Sequence, residues 1–204
     1  MTKSRLEAFS DGVLAVIITI MVLEIKVPKE DGLEALVELG PKFCAYLVSF
    51  IYIGIYWNNH HHLMHLAARI DGRVMWANLH LLFWLSLVPM CTGWSGEHPS
   101  SAWPAAIYGS VLFMSGIGWL ILQRMLIMRN GGKDSALAKA VGKDTKGNIS
   151  AVIYLSAIGL AFVHAWIAEL LYAAVALIWL VPDRRIENTI ESESEEPEKE
   201  EGTS

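Results

Sequence analysis

Long apolar stretches separated by short polar breaks dominate this chain. The first runs without interruption from about Arg5 to Val27, and between Val13 and Leu23 its only polar residue is Thr19. Pro28-Lys29-Glu30-Asp31-Gly32 ends it, since proline and glycine interrupt helices. A short surface turn of helix is predicted from Glu34 to Gly40. A second long helix is predicted from Pro41 to Ala67, Pro41 suiting a helix start because the N–H it lacks would have no partner there. Its second half, Trp57-Asn58-Asn59-His60-His61-His62, is strongly polar. The third apolar stretch covers about Arg73 to Trp94, carries Asn78 and His80, and contains Pro89, which is expected to kink or end it. A loop rich in Gly, Ser and Pro follows from Gly93 to Pro104, then a fourth stretch from about Ala105 to Met128. Asn130 to Lys146 reads as a basic, mobile connection. Gly147 to Val181 is one apolar run of 35 residues. It is too long for one membrane span and short for two, and is predicted to divide near His164.

A membrane-spanning helix needs about 20 apolar residues. The pattern therefore predicts an all-α membrane protein with six transmembrane helices per subunit, a fold consistent with the 53% apolar content of the 204 residues. No internal repeat is evident. Residues 1–182 are expected to form one six-helix domain, and 183–204 a disordered, acidic cytoplasmic tail with almost no apolar residues. The first helix is expected to be retained, because Asp11 interrupts its start and no small-residue cleavage site follows.

Charge changes the picture in two ways. The tail holds Asp183 and eight glutamates against Arg184, Arg185 and Lys199, a net of −6, so the formal −5 of the whole chain leaves the body near +1. A basic nucleic-acid face is not supported. With six spans both termini share a side, and that side holds thirteen of the sixteen lysines and arginines, against Lys26, Lys29 and Lys42 on the other. Cytoplasmic segments carry the excess of Lys and Arg. The chain is thus expected to be a multi-pass protein of the cell membrane with both ends cytoplasmic.

Polar residues within the apolar stretches are the candidates for chemistry. An aspartate at the centre of a bilayer costs roughly 2.5–3.5 kcal/mol on insertion scales. Asp11 lies nearer the inner end, yet it and Ser10 still need partners on neighbouring helices. Two readings of Asp11 stand open: a proton or ion site, or a structural acid held by Arg5 of a neighbour, His60 or Asn78. At about 100° per residue, Val16, Ile20 and Leu23 share one stripe, Gly12 lies beside it and Thr19 on its flank. Asp11 lies about 140° from Val16 on the same wheel. His61 and His65 share a helix face, but nothing nearby supplies further metal ligands, and His60 is a candidate to bond the Ser10–Asp11 pair. Glu24 can attract cations if the first helix lines a pore. Cys44 and Cys91 carry no metal spacing. No nucleophile triad, phosphate loop or paired-cysteine motif is present, so an enzyme is not expected.

Arg5-xxx-Phe9-Ser10-Asp11 opening the first helix, Trp57 with His60 and Leu63 in the second, and Asn78-Leu79 followed by Pro89 in the third together resemble the transmembrane protein 175 potassium channels. The resemblance covers roughly the first 90 residues. It implies a homotetramer in the lipid bilayer whose first helices line a central pore. It also implies passive K⁺ conduction without a cofactor and without a carbonyl filter, which this sequence also lacks. Carried over by position, the hydrophobic constriction falls on Val16 and Leu23, with Ile20 on the same face and Thr19 between them as the selectivity candidate. Val16 stands where the family often has Ile or Leu. Arg5, Phe9, Ser10, Asp11, His60 and Asn78 would form an inter-helix polar network holding the pore helices in register. The competing readings are a proton- or ion-coupled transporter using Asp11 and His60, and a membrane scaffold.

Overall fold

The computed structural model describes residues 2–29, 31–142 and 144–180. Among these there are α-helices and one 3₁₀ turn and no strands. The expected domain end near residue 182 and the acidic tail over 183–204 lie outside the described residues.

Helix α1 spans Lys3–Leu23, α2 Leu33–Glu38 and α3 Gly40–Leu66. Helix α4 spans Gly72–Ser86, α5 Val88–Glu97 and α6 Ala102–Arg129. After a 3₁₀ turn at Gly132–Asp134 come α7 (Ala136–Val141), α8 (Thr145–Ala161) and α9 (Ala165–Leu180). Among the described residues, three stretches are long and apolar enough to cross a membrane: Lys3–Leu23, the α4–α5 pair over Gly72–Glu97, and Ala102–Arg129.

The helix ends depart from the sequence expectations for identifiable reasons. The first helix stops at Leu23, not Val27. Pro28 disfavours helical geometry at the residue before it, and Ile25 N–H bonds back only three residues, to Val22 O at 3.2 Å. The third stretch breaks at Pro89, as expected, into two helices meeting at Leu87. Pro89 has no N–H to offer Leu85 O and its ring crowds that carbonyl. Beyond the break α5 continues to Glu97, four residues past the expected start of the loop at Gly93. Helix α6 begins at Ala102, with Pro104 inside its first turn, where a missing N–H costs nothing. The segment from Asn130 to Lys146, expected to be mobile, contains α7, whose Leu137 is buried. The long C-terminal run divides at Phe162–His164.

Helix α1 packs on α3, α4 and α5, while α4 runs along α6, α6 along α8, and α8 along α9. One buried core runs through the bundle from Leu6 on α1 to Tyr172 on α9. Helix α1 is thus held on one side only, by α3, α4 and α5.

Candidate functional site

The buried residues of α1 are Leu6, Ser10, Leu14, Ile17 and Met21, a helical stripe of threes and fours. The opposite face is apolar and open. Val16 is 54% exposed, Ile20 44% and Leu23 76%, with Gly12 and Thr19 also exposed. The Thr19 hydroxyl donates to Val16 O at 2.8 Å. Its only proton is thereby committed to the backbone, and its lone pairs remain free to accept or to face a cation.

The buried stripe is pinned by a polar clamp. Asn78 on α4 is fully buried and donates through Nδ2 to Ser10 Oγ at 2.8 Å. Ser10 in turn donates to Leu6 O at 2.9 Å. The Asn78 amide oxygen then faces His60 on α3, at 2.8 Å from Nε2. That oxygen can only accept, so the network assigns the imidazole proton to Nε2. The chain His60–Asn78–Ser10 thus joins three helices at one depth.

Of the six residues assigned to this network from the sequence, Ser10, His60 and Asn78 meet, and the other three do not join them. His60 reaches Ser10 through Asn78 and does not bond the Ser10–Asp11 pair directly. Asp11, one residue and about 100° further round the helix, points to the α3 flank. There its carboxylate accepts from Trp57 Nε1 at 3.1 Å. Arg5 is exposed, and Phe9 is 47% exposed on the open side of α1. Trp57 is the partner that sequence reasoning did not assign to Asp11. Its position three residues before His60, at the level of the clamp, was the available signal.

Near the other end of the bundle Ser49 on α3 bonds Thr92 on α5 at 2.7 Å and Tyr108 on α6 at 2.8 Å. Thr92 also approaches Met21 Sδ of α1 at 4.0 Å. Glu97 pairs with Lys42 at 3.2 Å and Lys26 at 3.8 Å. The Glu24 carboxylate lies over Gly93, where a Cβ would sit 3.3 Å from its Oε2. A groove of about 910 Å³ runs between α1 and α5, with Phe9, Val16 and Ile20 on one wall and Met90 and Trp94 on the other. The His61 and His65 rings stack 6.4 Å apart. Among the described residues no group of three or more His, Cys, Asp or Glu side chains is placed to hold a metal ion.

An all-helical membrane protein with one polar-clamped helix and an open apolar stripe defines the class. Comparison with known proteins places it further. Residues 5–89 match the family described as endosomal/lysosomal potassium channel TMEM175. A potassium channel of Chryseobacterium sp. (strain P1-3) is 51% identical over 190 residues, 93% of this chain and 98% of that one. A potassium channel of Streptomyces collinus is 35% identical over 189 residues, covering 87% and 91%. The crystal structure of a lysosomal potassium-selective channel TMEM175 homolog from Chamaesiphon minutus superposes with a TM-score of 0.74 at 29% identity, covering 88% of this chain and 96% of that one. The chain belongs to the TMEM175 family, an ion-channel family and not an enzyme family.

Proposed function

We propose that the protein is a potassium-selective channel of the cell membrane, a homotetramer of six-span subunits with both termini cytoplasmic. In this reading α1 from each copy lines a central pore. The observation that carries it is the division of α1 into two faces. The face with Ser10 is locked into its own subunit. The face with Val16, Ile20 and Leu23 is apolar and, among the described residues, open, and therefore needs either lipid or symmetry mates. The Chryseobacterium and Streptomyces relatives are named potassium channels, which favours symmetry mates around an ion path.

The mechanism follows from elementary solvation. Rings of Val16, Ile20 and Leu23 leave no polar group to replace a cation's hydration shell, so a narrow ring empties of water and blocks conduction. Splaying the helices wets the passage. Thr19 supplies the one side-chain oxygen of the stripe, with its lone pairs free, and four such oxygens favour the more weakly hydrated K⁺ over Na⁺. The clamp at His60, Asn78 and Ser10 sets the rotation of α1 about its own axis and hence which residues face inward. The carrier reading needs Asp11 and His60 to exchange a proton. They belong to separate hydrogen-bond sets, which weighs against it.

The purified protein in planar bilayers is expected to pass current that reverses near the K⁺ equilibrium potential with no second ion gradient. A strict requirement for a proton or Na⁺ gradient would sink the channel reading in favour of the carrier. Leu23→Ala should raise single-channel current or open time several-fold, since removing three heavy atoms from each copy widens the driest ring. An unaltered current trace would take Leu23 out of the gate. Thr19→Ala should leave conduction in place and bring the K⁺/Na⁺ permeability ratio down towards unity. A ratio equal to that of the unsubstituted protein would show that selectivity lies elsewhere.

A further inference from the structure

A cavity of about 70 Å³ lies within the subunit, bordered by α3, α6, α8 and α9. Among the described residues none of α1 lines it, and nothing in the pore reading uses it. Phe113, Ile117, Trp119 and Leu120 of α6 give it an apolar wall. Gly116 belongs to the same wall, and a Cβ added there meets no atom within 4 Å, so the space in front of it has room for a side chain.

Three polar side chains line this apolar space as well. Asp144 stands directly before α8 and caps it, its Oδ1 accepting from Gly147 N–H at 2.8 Å. A Cβ at Gly147 would overlap the carboxylate, so glycine there lets Asp144 lie against the start of the helix. The other oxygen, Oδ2, is buried and has no hydrogen-bond partner. A buried carboxylate oxygen left unpaired is costly. Tyr56 on α3 stands edge-on to Trp119 at 6.3 Å, and among the described residues its hydroxyl has no partner either. Asn59, one turn further along α3, donates from Nδ2 to Ile55 O at 3.0 Å. Its amide oxygen remains an acceptor. Asp144 is the only charged residue among the described residues of the lining. Lys146 is not one of them; its ammonium lies 6.0 Å from the centroid of the Trp179 ring.

The lining selects its ligand by charge, by hydrogen bonding and by size. A primary ammonium carries three N–H donors and no acceptor. Asp144 Oδ2, the Asn59 amide oxygen and the Tyr56 hydroxyl are acceptors, and the first of them is charged. A bond between an ammonium and a carboxylate is about twice as strong as one between neutral groups. The volume limits the rest of the molecule: an apolar cavity of about 150 Å³ accepts benzene, so about half that volume takes a stem of about three carbons. We propose that this cavity binds a primary ammonium on a short apolar stem, with Asp144 as its counter-ion. Two sources carry that chemistry, a soluble alkylamine and the ethanolamine headgroup of a membrane lipid.

Saturation-transfer NMR on the full chain in phosphatidylcholine nanodiscs tests this, with n-propylammonium, n-propanol and propionate as probes of one size and three charges. Propylammonium is expected to bind with a roughly millimolar Kd, the range open to so small a ligand. It should bind at least about tenfold more tightly than propanol, and propionate should not bind. Asp144→Asn should bring propylammonium to the level of propanol. Asparagine caps a helix as well as aspartate does, so this variant keeps α8. Gly116→Leu fills the cavity from α6 without touching Asp144. It should abolish the signal of both probes and leave the melting temperature at or above that of the unsubstituted protein. Propanol binding as tightly as propylammonium, or propionate binding more tightly than either, would overturn the site. So would a propylammonium signal that survives Gly116→Leu. Phosphatidylethanolamine in place of phosphatidylcholine separates the two sources. Loss of propylammonium binding there would identify the lipid headgroup as the occupant, and unchanged binding would identify a soluble amine.

Discussion

Gly109→Ala is expected to destabilise the protein by about 3–5 kcal/mol, the range seen when a large buried aromatic is lost from a core. A Cβ built at Gly109 would overlap Tyr172 Oη and fall 2.5 Å from its Cζ. Neither atom can give way cheaply. Tyr172 is fully buried, its hydroxyl donates to Ala105 O at 3.1 Å, and its ring stands edge-on to Tyr108 at 5.6 Å. Its own carbonyl accepts from Tyr52 Oη at 2.7 Å, and Tyr154 donates to that same Tyr52 oxygen at 3.2 Å. The tyrosine must therefore swing out of a site in which α3, α6, α8 and α9 converge, or α6 and α9 must separate. The measurement is thermal unfolding in detergent, where a drop of about 6–20 °C is expected for a chain of this size. Tyr172→Leu should cost a smaller amount by itself. Combined with Gly109→Ala it should cost less than the sum, since the clash has already been removed. A Gly109→Ala protein that melts with the unsubstituted one would show that α6 and α9 do not pack through this contact.

The contrast between α1 and this tyrosine cluster shows what the sequence could display. The apolar stretches, the breaks and the division near His164 are visible because a bilayer demands long apolar runs and punishes interruptions. The open stripe of α1 was legible only in part. The helix is apolar nearly all round, so its periodicity does not say which face is buried; Ser10, locked to Asn78, is what decides it. The Arg5-to-Asp11 motif pointed to that region, yet adjacency in sequence misled. Ser10 and Asp11 read as one pair, but consecutive residues on a helix point about 100° apart, and the two belong to different contacts. Nor does anything in the spacing of Tyr52, Tyr108, Tyr154 and Tyr172 announce that four tyrosines from four helices share one core, because helix-to-helix register is set by tertiary packing. Helix ends were least legible: the break at Pro89 could be read, but the stop at Leu23 depends on a single event, the three-residue bond at Ile25.

Asn78→Leu should be the second most damaging change, and it bears directly on function. Hydrogen bonds between membrane helices average about 0.6 kcal/mol, because polar groups in the unfolded, membrane-embedded state find other partners. Asn78 differs in that two bonds to two helices converge on one fully buried amide. Leucine fills the volume but leaves the His60 Nε2–H without an acceptor, and a buried orphan donor costs about 1–3 kcal/mol. It also removes the donor to Ser10, so the total expected is about 2–3 kcal/mol. Ser10→Ala should cost less, since only the Asn78 Nδ2 group loses its partner and the hydroxyl's own bond to Leu6 O is local. The double variant should then be hardly worse than Asn78→Leu alone, because the serine has already lost its inter-helix contact. The functional consequence is rotational. Without the clamp, α1 is free to turn about its axis, and Val16, Ile20 and Leu23 no longer face one direction in every copy. If α1 lines the pore as proposed, recordings are expected to show fewer and briefer openings with a scattered conductance, even in protein that still folds. Uniform, unsubstituted-like openings from Asn78→Leu would mean that packing of Leu6, Leu14, Ile17 and Met21 alone sets the orientation of α1, and that the polar clamp contributes stability without register.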